Sequence, residues 1–215
     1  MKRIFNDEAV ILFQGDSITD CDRNYQQDES LGDGYASKIS TIYGTLFDNK
    51  VTFINRGVSG DRCRNLLERY EKDILAIRPD YLSILIGIND TWRRYDSNDP
   101  TSAERFRDEY YKLLTSVRRE LPETKLILME PFLLYTQPQE YSWREDLYEK
   151  ADIVPWLAKE FNAYYVPLQG MFDYLVSTGI DPKSLSEDGV HPTSLGHSYI
   201  ALAWMQTVGI LPSLI

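Results

Sequence analysis

Residues 10–20 read Val-Ile-Leu-Phe-Gln-Gly-Asp-Ser-Ile-Thr-Asp, which predicts a buried strand that ends in a tight polar turn. The run from Val10 to Phe13 is short, apolar and rich in β-formers, as in strands that are covered on both faces. A serine on the turn that leaves such a strand has its hydroxyl held at the edge of the sheet. Ser17 is therefore a candidate nucleophile.

Short apolar runs alternate with longer helical patterns along the chain, which predicts an α/β fold with a parallel sheet covered on both faces. The predicted strands are Val10 to Phe13, Val51 to Ile54, Tyr81 to Ile86, Lys125 to Met129 and Ala163 to Val166. The predicted helices are Gly34 to Leu46, Arg62 to Ile77, Ser102 to Leu121, Trp143 to Phe161 and Ser194 to Val208. We expect one domain over residues 1–215, because a chain of this length can bury a substantial core without dividing.

The composition is that of a globular protein, with 43% hydrophobic and 26% charged residues. The net charge of -10 argues against a nucleic acid or an anionic membrane surface as partner. The basic start, Met1-Lys2-Arg3, precedes too short an apolar run for a signal peptide, and no run has the roughly 20 apolar residues that cross a bilayer. Cys21 and Cys63 lack metal-type spacing and predict free thiols. We expect a cytoplasmic protein.

Residues 188–192, Asp-Gly-Val-His-Pro, form a second motif, just before the last predicted helix. An aspartate three residues before a histidine can hold carboxylate and imidazole in one loop. Asp188 would then fix the tautomer of His191, and His191 would take the proton of Ser17, which predicts acyl-transfer chemistry. Both motifs are also ordinary turn sequences. His197, inside the predicted helix, is interpreted as a surface or packing residue.

The loops after the first three predicted strands share one edge of the sheet, where open parallel sheets bind ligands. The second loop reads Asn-Arg-Gly-Val-Ser-Gly-Asp over residues 55–61, and the third reads Gly-Ile-Asn-Asp over residues 87–90. Ester hydrolysis passes through an oxyanion that pre-aimed N–H donors stabilise. Gly60 and Asn89 are candidate donors, although both residue types are also common in turns.

The segments GDSITD, NRGVSGD, GIND and DGVHP, in this order, resemble the four blocks of the SGNH (GDSL-type) hydrolases. The resemblance covers most of the chain and implies a three-layer α/β/α, flavodoxin-like fold with a five-stranded parallel sheet and serine esterase chemistry. It implies the following site: Ser17 as nucleophile and first backbone oxyanion donor, Gly60 as second backbone donor, Asn89 as side-chain donor, and Asp188 with His191 as the rest of the triad.

The sequence departs from the family pattern at two positions. Ile18 replaces the leucine of the family name, and Arg62 stands where a threonine often follows Gly-Asp, which leaves the shape of the second loop open. The second loop also has two glycines, and Gly60 matches the family because it directly precedes Asp61, whereas Gly57 does not.

GDSITDCDR, GVSGDR and PDYLSILIGINDTWRRYD are similar to the SGNH acetylxylan esterases in particular. Trp92 and Tyr95 suit stacking on a sugar, and Arg93 can bind hydroxyls. The alternatives are a core position for Trp92 and a structural ion pair for Arg93. We expect a small-molecule ester substrate, such as an acetylated xylo-oligosaccharide, and neither metal nor cofactor.

Three other functions and one other nucleophile stay open. A lysophospholipase or thioesterase would take longer acyl chains, for which Phe132 to Tyr135 is the only apolar candidate lid. A carbohydrate-binding protein without activity would lack a triad member. A metallohydrolase would use Asp188 and His191 as ligands, without the usual motifs. Cys21 could replace Ser17 as nucleophile, but it lacks the glycine turn.

Two apolar segments have no assigned role. The segment Pro131 to Gln139 follows a strand and could line a pocket or pack its leucines on the body of the protein. The chain end, Gly209 to Ile215, could pack on the domain or on another subunit, and it favours a homo-oligomer.

Overall fold

The computed structural model describes residues 1–47 and 50–212, with the backbone alone for residues 138–140. Its centre is a sheet of five parallel strands in the order β2-β1-β3-β4-β5. The strands are β1 Val10–Gly15, β2 Thr52–Asn55, β3 Tyr81–Leu85, β4 Lys125–Met129 and β5 Tyr164–Val166. All five predicted strands are confirmed, with ends that shift by one or two residues.

Helices cover both faces of the sheet. In chain order they are α1 Ser17–Asp20, α2 Tyr35–Phe47, α3 Cys63–Glu68, α4 Ile88–Asp96, α5 Ala103–Glu120, α6 Arg144–Ala151, α7 Ile153–Glu160, α8 Leu168–Ser177, α9 Pro182–Leu185 and α10 Ser194–Thr207. Helices α2, α8 and α10 pack in one apolar core with Ile11 and Phe13, whereas α3, α5 and α7 pack in a second core with Leu12. Successive strand side chains point to opposite faces, so β1 serves both cores. The predicted three-layer α/β/α fold is confirmed.

Three of the five predicted helices are confirmed as α2, α5 and α10, and the other two predictions were wrong in detail. The predicted helix from Arg62 to Ile77 is α3 followed by a π-helical turn, Glu71–Leu75. The predicted helix from Trp143 to Phe161 is divided into α6 and α7, because Pro155 in the first turn of α7 cannot extend a preceding helix. Helices α1, α4, α8 and α9 were not predicted, since they are short or begin at glycine or proline.

The chain changes its winding direction at β1, which lies between β2 and β3. The loops after these three strands therefore diverge and leave a crevice at their carboxyl ends. Ser17 stands after β1, the loop with Gly60 after β2, and Asn89 after β3. The fold thus places three sequence motifs around one opening.

The two apolar segments pack against the body of the protein. Phe132, Leu133 and Leu134 are buried, which fits the packing alternative for that segment; the side chain of Gln139 lies outside the described residues. At the chain end Ile210 is fully buried and its carbonyl accepts the N–H of Lys2, whereas residues 213–215 lie outside the description. Among the described residues, every helix is too short or too polar to cross a membrane.

Candidate active site

The hydroxyl of Ser17 and the imidazole of His191 are in contact, although 174 residues separate them in the sequence. Ser17 Oγ lies 2.9 Å from His191 Nε2, and His191 Nδ1 lies 2.7 Å from Asp188 Oδ2. With Asp188 ionised, the imidazole proton sits on Nδ1, and Nε2 accepts from Ser17. This arrangement can activate a serine hydroxyl for attack on a carbonyl.

The loop that carries Asp188 and His191 is held by bonds within itself. Asp188 Oδ1 accepts the backbone N–H groups of Val190 at 2.9 Å and of His191 at 2.7 Å. Partial burial opposes ionisation, but the bonds from His191 and Val190 outweigh it and hold the pKa of Asp188 well below its ordinary value. The bond to Asp188 in turn raises the pKa of His191 above its ordinary 6.5, against the effect of burial.

Ser17 is the first residue of α1, directly after the buried end of β1. Asp16 caps this short helix, because its Oδ1 accepts the N–H of Ile18 at 3.0 Å. The other carboxyl oxygen of Asp16 is buried without a partner among the described residues. Burial raises the pKa of Asp16 to about 7, against the opposing effects of the Ile18 N–H and His191. The cap fixes the turn that presents Ser17.

Gly60 lies on the loop after β2, and Asn89 lies in the first turn of α4; the two segments meet at the backbone of Asp61. Asn89 Nδ2 donates to the Asp61 carbonyl at 3.1 Å, so the amide lies beside the residue that follows Gly60. Within the described residues, the backbone N–H groups of Ser17 and Gly60 donate no hydrogen bond. These two groups and the second proton of the Asn89 amide can therefore donate to an oxyanion.

Gly57 has a different role from Gly60. A Cβ on Gly57 would lie 2.3 Å from the backbone nitrogen of Asp20. The backbone N–H of Gly57 already donates to Asn55 Oδ1 at 2.8 Å. A Cβ on Gly60 would meet nothing within 4 Å, but its φ of +85° favours glycine. Gly57 thus allows close packing on α1, and Gly60 is the candidate donor.

Two polar side chains that the sequence analysis did not single out brace these loops. Asp90 Oδ2 accepts the N–H of Cys63 at 3.1 Å, which joins the first residue of α3, just after the second loop, to α4. Arg69 Nε donates to Asp61 Oδ2 at 2.8 Å, and its Nη2 donates to the Gly15 carbonyl at 3.3 Å. The partners are 8 to 54 residues apart, so no short motif predicts the whole set.

Arg93 orients the amide of Asn89. Arg93 Nη2 lies 3.3 Å from Asn89 Oδ1, and its Nη1 pairs with Asp96 at 2.5 Å. A cation beside Oδ1 fixes which end of the amide is the donor, and it turns Nδ2 toward Asp61. Arg93 therefore forms a structural ion pair, which was the alternative to binding hydroxyls, and it also orients the Asn89 amide. Arg62, the departure in the second loop, is buried and donates to the Asp99 carbonyl at 2.9 Å.

An aromatic wall, formed by Trp92, Trp143 and Tyr95, stands beside the histidine. The ring centroid of Trp92 lies 5.8 Å from that of His191 and 5.3 Å from that of Trp143. Trp143 stacks on Tyr95 with centroids 5.4 Å apart. Trp92 is only partly buried, so it is a rim residue that also packs on the core. Sequence reasoning missed Trp143, because nearly 50 residues separate it from its ring partners.

A polar cleft of about 620 Å³ opens in front of Ser17 and His191. One wall of the cleft comes from the loop between α1 and α2, and the residues of this loop that line it are Cys21, Asp22, Arg23 and Tyr25. This volume is in the range of small-molecule sites. Sequence reasoning missed this wall, because the loop carries no recognised motif; its nearness to Ser17 was the available signal.

Cys21 lines the cleft, but its thiol is bonded to His197 and not to His191. Cys21 Sγ lies 3.3 Å from His197 Nε2, and the N–H of Tyr35 donates to His197 Nδ1 at 3.2 Å. Because Nδ1 accepts, the proton of the neutral ring sits on Nε2, where it cannot take a proton from the thiol. Burial raises the pKa of Cys21 and lowers the pKa of His197 to about 4. His197 is a packing residue, and the geometry does not support Cys21 as nucleophile.

Comparison with known proteins gives a family that fits this geometry. The model of the GDSL-like lipase/acylhydrolase family matches residues 13–199. The chain belongs to this family. The acetylxylan esterase of Geobacillus stearothermophilus is 35% identical over 206 residues, which cover 93% of each chain. Thioesterase 1/protease 1/lysophospholipase L1 of Escherichia coli is 26% identical over 182 residues, or 82% of this chain and 78% of that protein.

Solved structures of family members superpose over nearly the whole chain. A GDSL-like lipase described from Parabacteroides merdae gives a TM-score of 0.91 at 35% identity, covering 97% of this chain and 99% of that one. The structure of the acetylxylan esterase of G. stearothermophilus superposes with a TM-score of 0.85 at 30% identity. This match covers 95% of this chain and 97% of that one. The chain is a carboxylic ester hydrolase with the GDSL-family fold.

Proposed function

We propose that this GDSL-family hydrolase is a serine esterase that removes acetyl groups from short carbohydrates, with acetylated xylo-oligosaccharides as the preferred class. The observation that carries the proposal is the 2.9 Å contact between Ser17 and His191 at a polar cleft of about 620 Å³. A polar cleft favours a sugar as the leaving alcohol over an acyl chain. The similarity to an acetylxylan esterase over 93% of both chains supports this substrate class.

The proposed cycle has two halves. His191 takes the proton of Ser17, whose oxygen attacks the ester carbonyl, and the oxyanion accepts bonds from the backbone of Ser17 and Gly60 and from Asn89. Collapse expels the alcohol, which His191 protonates, and water then repeats the steps on the acyl-serine. Solved catalytic mutants of the G. stearothermophilus esterase replace a serine, an aspartate and a histidine, which supports the same three roles here.

The first test replaces Ser17 by alanine. Ser17→Ala should reduce turnover of p-nitrophenyl acetate by about 10⁴-fold or more, because the nucleophile is removed while the fold is kept. A fluorophosphonate probe should label the unchanged protein at Ser17 and leave the variant unlabelled. Ser184→Ala is a matched control, because Ser184 is exposed on α9 and outside the relay. Undiminished turnover by Ser17→Ala would refute the proposed site.

The second test decides the substrate class. We expect acetylated xylo-oligosaccharides to be hydrolysed with a higher kcat/KM than acetates of other sugars, and acetate esters to be preferred over dodecanoate and palmitate esters. A strong preference for the long chains would assign a lysophospholipase or thioesterase activity instead. The cytoplasmic location, the homo-oligomer and the exclusion of nucleic-acid and membrane partners stay predictions from the sequence.

A further inference from the structure

The loop between α1 and α2 places an exposed aromatic ring in the catalytic cleft. The side chain of Tyr25 is 57% exposed, and it lines the same cleft as Ser17 and His191. Within the described residues Tyr25 has no ring contact with Trp92, Trp143 or Tyr95, so it is a surface separate from the aromatic wall that these three residues form. Large exposed aromatic residues at a cleft are typical of ligand contacts.

Tyr25 is held in place although it is exposed. The guanidinium carbon of Arg23 lies 4.1 Å from the centroid of its ring, and Arg23 is itself fixed by a bond from Nε to the Gly57 carbonyl at 2.9 Å. The Tyr25 hydroxyl donates to Asp20 Oδ2 at 2.5 Å, and the same oxygen accepts the N–H of Ser59 at 3.2 Å. One ring face is thus covered by a cation, and the hydroxyl is anchored.

A ring that is ordered before binding loses little conformational entropy when a ligand stacks on it. The polar groups that share this wall, Asp22 and Ser59, are both exposed in the cleft and offer a carboxylate and a hydroxyl to a polar ligand. A flat apolar face bordered by such groups suits a pyranose ring, which has an apolar face and hydroxyls at its edge. A straight acyl chain would leave the polar groups without partners.

The chemistry of the relay indicates which part of the substrate lies here. His191 must protonate the leaving alcohol, so that alcohol has to sit on the His191 side of the ester. The cleft contains His191 and Pro192, and its volume of about 620 Å³ is far larger than an acetyl group. The remaining space is therefore on the alcohol side.

We propose that Tyr25, backed by Arg23, is a stacking platform for the pyranose ring of the leaving carbohydrate, and that it determines the preference for sugar acetates over simple acetates. This inference rests on the proposed function. In this proposal Tyr25 is a specificity-determining residue that contacts the substrate without taking part in the proton transfers.

The test compares two substrates for each variant: an acetylated xylo-oligosaccharide, and ethyl acetate, whose leaving alcohol has no ring. For Tyr25→Ala we expect the ratio of kcat/KM for the sugar ester to kcat/KM for ethyl acetate to fall by about ten-fold, mainly through KM. Tyr25→Phe keeps the ring and should keep most of the ratio. Tyr174→Ala is the matched control, because Tyr174 is 52% exposed but lies on α8 against a separate groove.

The outcomes separate the platform from the proposed function. If the unchanged enzyme prefers sugar acetates and Tyr25→Ala keeps that preference, the platform is refuted and the proposed function stands. If the unchanged enzyme hydrolyses ethyl acetate but not sugar acetates, the proposed function fails and the platform with it. A Tyr25→Phe variant as impaired as Tyr25→Ala would refute a platform backed by Arg23, because a ring that Arg23 still covers would then contribute nothing without the hydroxyl bond to Asp20.

Discussion

The two halves of the proposed catalytic site are built in different ways. The sheet-edge half, with Ser17, Gly60 and Asn89, follows three strands and is braced by bonds between segments far apart in the chain. The return loop, residues 188–192, has Asp188 and His191 about 45% exposed and is held mainly by bonds within itself. The donors for the oxyanion are therefore fixed by the fold, and the acid-base pair by a local turn.

This difference separates two kinds of mutational effect. A change in the return loop should alter proton transfer and its pH dependence, since the loop determines the charge states of Asp188 and His191. A change in the sheet-edge half should lower kcat without moving the pH profile, because it misplaces neutral donors.

Asp188→Asn should have the largest effect. It removes the carboxylate that fixes the His191 tautomer, and kcat/KM should fall by about 10⁴-fold. Asp188 raises the pKa of His191 above 6.5, and the base must be neutral, so wild-type activity should rise with pH through that raised pKa. In the variant, the midpoint of this rise should move to lower pH. An unmoved midpoint in the pH profile of kcat/KM would show that Asp188 does not control His191.

Asn89→Ala should lower kcat by about 10²- to 10³-fold, because one of three oxyanion donors is lost. The acidic limb of the pH profile should keep its midpoint, since Asn89 carries no charge and does not contact His191. Asn6→Ala is a suitable control, because Asn6 is exposed and lies ahead of the amino end of β1. A shifted pH midpoint in Asn89→Ala would break the proposed division between the two halves.

Arg93→Met should have the smallest effect, about a ten-fold loss in kcat with little change in KM. The methionine removes the cation that orients the Asn89 amide but leaves the amide itself in place. In the Asn89→Ala background the same substitution should cost almost nothing more, because Arg93 acts through Asn89. Arg94→Met is the matched control, since Arg94 points to Asp146 on α6. Full additivity of the two substitutions would exclude the positioning role.

The return loop shows how much of the site a local pattern can reveal. The side chains of Asp188 and His191 are three residues apart, and the bonds that join them lie inside one turn, so the motif itself encodes their geometry. The strand before Ser17 was equally predictable from the sequence, because an apolar run and a glycine turn are local features. The five strands and a parallel sheet covered on both faces followed from the same kind of pattern, and the resemblance to the family implied the three-layer fold.

The parts that the sequence did not predict depend on contacts between distant segments. The roles of Arg93, Arg69 and Asp90 depend on which loop each side chain meets. The position of Trp143 opposite Trp92 depends on the packing of α6 against α4. The sequence pattern predicts a loop at the start of α4, because Gly87, the residue before this helix, is typical of a turn.

Neighbouring residues therefore encode the alternation of strands and helices, the nucleophile turn and the aspartate-histidine loop. The folded chain alone shows that Ser17 meets His191 at 2.9 Å, that Gly60 but not Gly57 has open space beside its α-carbon, and that Tyr25 lines the cleft. The physical reason is that local propensity acts over a few residues, whereas a catalytic site is assembled where strand order brings distant loops together.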